Sequence, residues 1–304
     1  MCPDVRVIPC VQGGAVWHRL RQRRYTATDI GKLVGASPYG RPADVWLSKL
    51  GKSTRRDSGA LFLRVGHLLE SLAREEWIRA TGRQAEQGPV LAETSGYLSA
   101  SLDSWTLDGR EPIDAKSRSR GSPEWRLWSD GTIPEDVALQ LVQQAILTER
   151  LTGHRIEACH IAAILNDGFG FEFRPLRLAL TPDWRDYHHE IAETIPRWHA
   201  AYVAPPDGIP VPPPDATYRD VAVAVDVGRV TRRDATETEA ALLAAWAEQE
   251  ERVKAARDAL KAAEAARDVP KSDLARSMGV GYVIPGTSWT KHATPQLRLT
   301  NNKE

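Results

Sequence analysis

Cysteine is scarce in this sequence: three in 304 residues, Cys2, Cys10 and Cys159, scattered and odd in number. That excludes a disulfide framework and any zinc-ligand spacing, and it fits a reducing, cytoplasmic setting. Long apolar runs are also missing. No stretch approaches the roughly 18 apolar residues of a membrane span, and the N-terminus has no apolar leader, so the reading is of a soluble, unprocessed chain with no membrane partner. Charge of one sign is absent too, because 40 Lys and Arg balance 40 Asp and Glu. A general basic coat for nucleic acid or anionic lipid is therefore excluded, and any nucleic-acid contact has to come from local patches. No internal repeat is present. What is there in quantity is hydrophobic residue, 42%, enough for a real core in one large domain or one domain with an appendage.

Residues 1–16 read as irregular. Thr26 with Asp29 three positions on is near capping-box form and predicts a helix start, and a second short helix follows Pro42 and ends at Gly51. Over 60–81, Val65, Leu68, Leu69, Leu72 and Ala73 recur at helical spacing, with Trp77 extending the stripe, which predicts a helix with that stripe buried. Residues 88–117 change period and read as strands. Over 134–152, Pro134, Val137, Ala138, Leu141, Val142 and Ala145 predict a second buried stripe. Segments 156–165 and 169–178 flank Asn166-Asp167-Gly168, a hairpin signal, and Phe169, Phe171 and Phe173 alternate as in a half-buried strand. A helix over 182–201 places Trp184, Tyr187, Ile191, Ile195 and Trp198 on one side.

"APPDGIPVPPP", residues 204–214, reads as an extended spacer. The expected organisation is a domain over 1–203, a linker over 204–216, and a helical extension with a tail over 217–304. In that extension Trp246, Val253 and Leu260 stand seven apart, a narrow seam of the kind that packs on its own domain more often than on a partner.

The chemistry concentrates in "YLSASLDSWTLDGREPIDAKS", residues 97–117. Asp108-Gly109 is a favoured two-residue hairpin turn. With that pair at the tip, Asp103 lies across from Asp114, with Cβ atoms roughly 4.5–5.5 Å apart. Lys116 shares the face of Asp114, and Ser101 is its cross-strand neighbour. Opposed carboxylates destabilise a sheet unless something compensates, and a divalent cation does so. Two carboxylates, a carbonyl and waters suit Mg²⁺, and an adjacent lysine can orient a water or stabilise developing phosphorane charge. The bland alternative is a surface hairpin with solvated acids and a solvated lysine. Asp108 itself is read as a turn residue.

Other polar residues point the same way. Glu70 flanks the apolar stripe of the 60–81 helix. Gln140 and Gln144, one turn apart and followed by Leu147, mark a second face of the 134–152 helix that touches something. Arg19, Arg21, Arg23 and Arg24 are four arginines in six residues beside Trp17 and Tyr25. Arginine grips phosphate bidentately, and threonines at a helix N-terminus suit an anion. A solvated basic turn is the alternative. Arg118, Arg120 and Arg126 could track a strand backbone. Trp125 and Trp128 read as core plugs, and His160, His188 and His189 as structural or exposed.

Taken in order, "WHRLRQRRYTATDI" (17–30), "GHLLE" (66–70), "SLDS" (101–104), "IDAK" (113–116) and "IPEDVALQLVQQAILT" (133–148) resemble the lambda exonuclease or YqaJ-like viral recombinase group of the PD-(D/E)XK nucleases. The resemblance spans about residues 15 to 200. It implies an α/β (α+β) restriction-endonuclease-like core with a central mixed sheet flanked by helices, followed by a C-terminal helical appendage. It implies a Mg²⁺-dependent 5′–3′ exonuclease acting on linear double-stranded DNA, with Mn²⁺ as a substitute. Asp103, Asp114 and the Ala115 carbonyl would be metal ligands, Lys116 the catalytic lysine, Glu70 a helix-borne acid for a second metal or its water, and Gln140 an active-site glutamine. Arg21, Thr28 and Ser101 match positions that grip the terminal 5′-phosphate, with Arg19 and Arg24 alongside. A single-strand annealing protein is the implied partner and a homotrimer the implied assembly.

Two departures stand out. The acid at 114 is usually Glu in this group, and Val137 and Gln143 occupy the places where a tyrosine would stand. The rivals are a nuclease for single-stranded or branched DNA, and a non-catalytic DNA-binding or assembly protein that keeps the fold. Three scattered cysteines do not supply the four-cysteine iron–sulfur cluster of some relatives.

Overall fold

Thr26 opens a helix because its backbone N–H donates to Asp29 Oδ2 at 2.9 Å, closing the capping box that the sequence predicts. The computed structural model describes residues 4–52, 60–206, 208–225, 235–278, 287–289 and 297–299. In chain order the elements are β1 (Val5–Val7), α1 (Ala15–Arg23), β2 (Tyr25–Thr26), α2 (Ala27–Leu33), α3 (Pro42–Lys49), α4 (Ala60–Thr81), β3 (Ala85–Gln87), β4 (Val90–Glu93), β5 (Leu98–Ser101), β6 (Ser104–Thr106) and β7 (Pro112–Ser119). There follow α5 (Trp125–Ser129), α6 (Glu135–Thr152), β8 (Ala158–Asn166), β9 (Phe171–Ala179), α7 (Pro182–Trp198) with a π-helical turn His199–Val203, α8 (Tyr218–Ala224), α9 (Glu237–Met278), β10 (Thr287–Trp289) and β11 (Leu297–Leu299). Residues 1–16, expected to be irregular, contribute β1 and the start of α1.

The chain divides into two compact units, Met1–Gly228 and Arg229–Glu304. In the first, a four-stranded sheet runs β1-β4-β5-β2 and a five-stranded mixed sheet runs β3-β6-β7-β8-β9. The central mixed sheet flanked by helices that the resemblance implies is present as these two mixed sheets. They are joined through one hairpin ribbon, because Gln87 pairs with Ser104 in one sheet and Val90 with Ser101 in the other, in the same register. Between them the ladder loosens, and Gly88 N–H reaches Asp103 O at 3.3 Å. A Cβ at Gly88 would stand 2.4 Å from Leu102 Cβ, so this crossing requires glycine. Asp103 is placed at that junction.

Helix α6 runs between the sheets. Its N-terminus carries Glu135 and Asp136, and Gly153 ends it in the left-handed region at φ 73°. Val137, Ala138, Leu141, Val142 and Ala145 are buried against β8 and its neighbours, while Leu139 and Leu147 join the core with Tyr25, Leu91 and Leu98. A helix buried on two sides must satisfy any polar side chain it brings, and α6 brings three glutamines. On the other face of the five-stranded sheet, α4 packs through Ala73 and Trp77, with Leu69 beside them, onto Ile113, Ala162 and Ile164. The stripe expected on α4 is therefore narrower than its sequence pattern. Leu68 is 75% exposed, and Val65 and Leu72 are exposed as well. The strands offer small residues here, Ala115 and Ala162, so the helix meets them along one line of side chains four apart.

The expected half-buried alternation in β9 also fails in part. Phe173 packs into the core with Trp77, but Phe169 and Phe171 are exposed. In α7, Ile191 and Ile195 are buried and Trp184, Tyr187 and Trp198 pack at their edge. The proline-rich segment and α8 lie with the first unit. Arg41 donates to Asp215 O and Asp220 Oδ2, and the Trp46 indole donates to Tyr202 O. A capping box at Thr217 and Asp220 starts α8.

The second unit is a 42-residue helix, α9, followed by the antiparallel pair β10 and β11. Its seam does not pack on its own unit: Trp246, Val253 and Leu260 are all exposed.

Candidate functional site

The β6–β7 hairpin brings two acids and a lysine together. Ser104 pairs with Ile113 and Trp105 with Pro112, the register predicted from Asp108-Gly109. The loop itself is longer than predicted. Thr106 N–H donates to Glu111 O at 3.0 Å and Arg110 N–H to Thr106 O at 3.1 Å, closing a loop over Leu107–Arg110. Arg110, not Gly109, takes the left-handed conformation, at φ 56°. Because the loop gains one residue on each side, the register survives for Ser104 and Trp105, but the predicted cross-strand pairs Asp103–Asp114 and Ser101–Lys116 do not form, and Ser101 pairs with Val90 in the other sheet. Asp108 is a turn residue whose carboxylate is clasped by Arg83 at 2.7 and 2.9 Å.

Beyond Ser104 the ladder stops, and the Asp103 side chain replaces it: Oδ2 accepts from Ala115 N–H at 2.9 Å. Asp114 is buried. Its Oδ1 accepts from Gln140 Nε2 at 2.6 Å, and its Oδ2 lies 2.5 Å from Lys116 Nζ. That Oδ2 is buried with no hydrogen bond aligned on it. Lys116 Nζ donates in turn to Gln140 Oε1 at 3.2 Å. Burial, and next the charge of Asp114, push the Asp103 carboxyl up to about 8 against the pull of Lys116, and Glu70 adds to the upward push. Glu70, Ala115 and Lys116 line an open pocket of about 240 Å³ with Leu69, Ser117 and Arg118.

The donor set is oxygen only: two carboxylates, the backbone of Ala115 and, across the pocket, Glu70. Among the described residues no three acidic, histidine or cysteine side chains already converge on one point. A hard cation that keeps several waters fits such a set. The crowded negative charge and the unaligned Asp114 Oδ2 are the features a cation relieves.

Helix α6 ties this cluster to a second one. Gln144 Nε2 donates to Ser101 O at 3.1 Å, and Gln143 Nε2 to Tyr25 O and Ser99 O at 3.1 and 2.8 Å. Ser101 Oγ accepts from the Trp17 indole N–H at 2.9 Å, and the Arg21 guanidinium lies 4.5 Å from the centre of the Trp17 ring. Arg21 reaches Thr28 Oγ1 at 3.4 Å, and Thr28 touches Thr26 Oγ1 at 3.0 Å. Arg21, Thr28 and Ser101 are thus brought together. Arg19 is exposed on α1. Arg24 does not join them. It lies past the end of α1 and donates to Thr94 O, toward the opposite end of β5 from Ser101.

Beneath the cluster Lys49 is buried. Its Nζ donates to Arg21 O at 2.8 Å, Arg24 O at 2.7 Å and Asp29 Oδ2 at 2.7 Å, which fixes the end of α1 against α2. Burial works against the Asp29 charge, yet Lys49 holds that carboxyl below its ordinary range.

Several residues escaped the sequence reading. Trp17, quoted only as an aromatic neighbour, holds Ser101 and backs Arg21. Lys49 and Gln143 act through contacts far apart in sequence and left no local signal. His160, read as structural, is buried against Trp77 and bonds Glu111 Oε2 at 2.9 Å beside Arg83. Arg118, which lines the pocket, is backed by aromatic rings. Its guanidinium lies over the Tyr39 and Trp128 rings, at 5.5 and 5.1 Å. Trp128 is a core plug, fully buried.

This arrangement, a mixed sheet whose hairpin carries Asp103 and Asp-Xaa-Lys between flanking helices, is a restriction-endonuclease-like α/β fold. A proposed exonuclease from Eubacterium rectale shares it with a TM-score of 0.50 at 12% identity, over 75% of this chain and 97% of that one. An alkaline exonuclease from Laribacter hongkongensis aligns at 16% identity over 62% and 93% with a TM-score of 0.46. A phage-related exonuclease from Haemophilus somnus aligns at 12% over 60% and 96%, TM-score 0.42. Residues 16–151 match the sequence profile of the YqaJ-like viral recombinase domain. Comparison with curated proteins finds no match.

Proposed function

We propose that this protein is a Mg²⁺-dependent exonuclease that degrades one strand of linear double-stranded DNA in the 5′–3′ direction, with Mn²⁺ able to substitute. The observation that carries the reading is the Asp103–Asp114–Lys116–Gln140 cluster, whose Lys116 opens onto the pocket that Glu70 and Ala115 also line, in a chain whose residues 16–151 match a YqaJ-like domain. Asp103, Asp114 and the Ala115 carbonyl would hold the cation, which when bound would supply Lewis-acid activation of water and offset charge on the scissile phosphate.

The chain's own groups do the rest. Gln140 fixes the plane of the Asp114 carboxylate with its N–H and steadies Lys116 with its carbonyl. Lys116 stabilises the negative charge that grows on the phosphate. Glu70 presents a further carboxylate from α4 to the same pocket. Arg21, Thr28 and Ser101 hold the terminal 5′-phosphate, with Trp17 positioning two of them and Arg19 adding positive charge on the approach. The family resemblance supports a homotrimer and delivery of 3′ single strand to an annealing protein.

The test is nucleotide release from linear duplexes bearing 5′-phosphate or 5′-hydroxyl, with Mg²⁺ or with chelator. Release is expected only with Mg²⁺, faster from 5′-phosphate, and absent in Asp103→Ala and Lys116→Ala. Chelator-resistant release would overturn the metal, full activity in Asp103→Ala the site, and release from 3′ ends alone the polarity.

A further inference from the structure

Among the described residues no aromatic ring is more exposed than Phe169, at 92%, and Phe171, at 73%. Both stand on the tip between β8 and β9. The tip is built to hold them out. Asn166 Oδ1 accepts from Gly168 N–H at 2.8 Å, and Asp167 Oδ1 accepts from the N–H groups of Phe169 and Gly170 at 2.8 and 2.9 Å. Gly168 turns the chain at φ 96°, a conformation that other residues avoid. Rings presented by a pre-ordered turn lose little entropy when something stacks on them.

The tip lies along the path from the proposed catalytic cluster. Ser119, three residues past Lys116 on β7, pairs with Asn166, and Arg120 N–H donates to Asn166 O at 2.9 Å. Three residues of strand span on the order of 10 Å. Arg120 is exposed at that point, and Phe171 with Trp125 lines a cavity of about 380 Å³ beside it. Of the tip's acids, Glu172 is paired with Arg174 at 2.5 and 3.0 Å, while Asp167, held ionised by the backbone amides of its own turn, also feels the charge of Arg120. The tip offers flat aromatic surface with Arg120 at its base. Unpaired bases take that combination, stacking on rings while the phosphate backbone follows positive charge.

We propose that the β8–β9 tip is a stacking platform for single-stranded DNA, with Phe169 and Phe171 receiving unpaired bases and Arg120 the adjoining phosphate. The proposal rests on the nuclease reading for its substrate. A second copy of this chain is the competing occupant.

The experiment uses the full chain in chelator, so that nothing is cut. Binding of a fluorescent oligothymidylate is followed by anisotropy for wild type, Phe169→Ala, Phe171→Ala, the double variant and Phe169→Trp. Each alanine is expected to weaken binding about 10-fold, and tryptophan to retain it. Thermal melts check folding, and sedimentation velocity checks assembly. Unchanged binding in the double variant overturns the proposal. So does a double variant that only changes its sedimentation, which would make the tip a contact between copies. Failure of the nuclease reading shows separately, as absent Mg²⁺-dependent release in wild type, whatever the anisotropy gives.

Discussion

Gln140 holds Asp114 and Lys116 with one amide: its N–H meets Asp114 Oδ1 at 2.6 Å and its carbonyl accepts from Lys116 at 3.2 Å. Such supports of a ligating carboxylate are worth about 10–100-fold in activity or metal affinity. Gln140→Ala is expected to lower kcat by that factor. Gln140→Glu is expected to do more damage, because it removes the donor and sets a third negative charge against Asp114. Single-turnover nucleotide release at saturating Mg²⁺ separates the two, and equal loss in both would remove the charge argument.

With its carboxyl raised to about 8 by burial and the Asp114 charge, Asp103 is mostly protonated at neutral pH in the metal-free protein and has to ionise beside Asp114 to hold a cation. Asp103→Asn keeps the shape and the contact to Ala115 N–H but cannot ionise. Its melting temperature in chelator is expected to equal or exceed that of wild type. The rise in melting temperature that Mg²⁺ gives wild type through binding linkage is expected to disappear. A calorimetric scan of both proteins, with and without Mg²⁺, checks this without reference to activity.

Asp114 is an acid with a short side chain, and its surroundings close around that length. The carboxylate is buried and already within 2.6 Å of Gln140. Asp114→Glu adds a methylene to a closed space, and overpacking of that kind costs about 1–3 kcal/mol. Urea denaturation is expected to show the loss, accompanied by slower release. A variant as stable and as active as wild type would mean that the pocket adapts.

His188 gives a pH signature. Burial, then the nearby His189, hold its imidazole down to about 4, with Nε2 at 3.2 Å from Gln143 Oε1. The unfolded chain binds that proton below about pH 6.5 and the folded one only below about 4. Stability therefore falls as pH drops from about 6.5 to about 4, by roughly 3 kcal/mol from this group, and it is fully present above that window. Denaturation midpoints across pH 4 to 7 are expected to show the slope in wild type and a flatter curve in His188→Gln.

Trp17→Phe keeps a ring under Arg21 but deletes the N–H that holds Ser101 Oγ. Preference for 5′-phosphate over 5′-hydroxyl ends is expected to shrink several-fold through KM, with kcat nearly unchanged. A drop in kcat alone would place Trp17 elsewhere in the cycle.

Much of this was legible because it is local. Asp108-Gly109 and the alternation around it predicted the register of Ser104 on Ile113, which sets Asp103 and Asp114 next to each other without pairing them. The loop type was hidden because Thr106 Oγ1 captures the N–H groups of Gly109 and Glu111, at 3.3 and 3.1 Å, and shifts the left-handed residue to Arg110. Gln140 and Gln144 were visible as an odd face of a helix. Gln143 was not, because its partners are carbonyls of β2 and β5, set by tertiary packing. Four arginines look alike in sequence, yet α1 ends at Arg23, so Arg21 turns toward Thr28 and Arg24 away. The stripe of α4 was over-read for a similar reason: periodicity gives a helix an apolar side, but the shape of the sheet decides how much of that side is covered.

Helix α6 touches both clusters, through Gln140 at Asp114 and through Gln144 at Ser101. Four residues of α-helix rise about 6 Å, and a buried helix does not stretch. On the proposed reading, the grip on the strand's end and the point of cleavage are pinned to one rod. The spacing between the two would then be set by the scaffold rather than by the DNA.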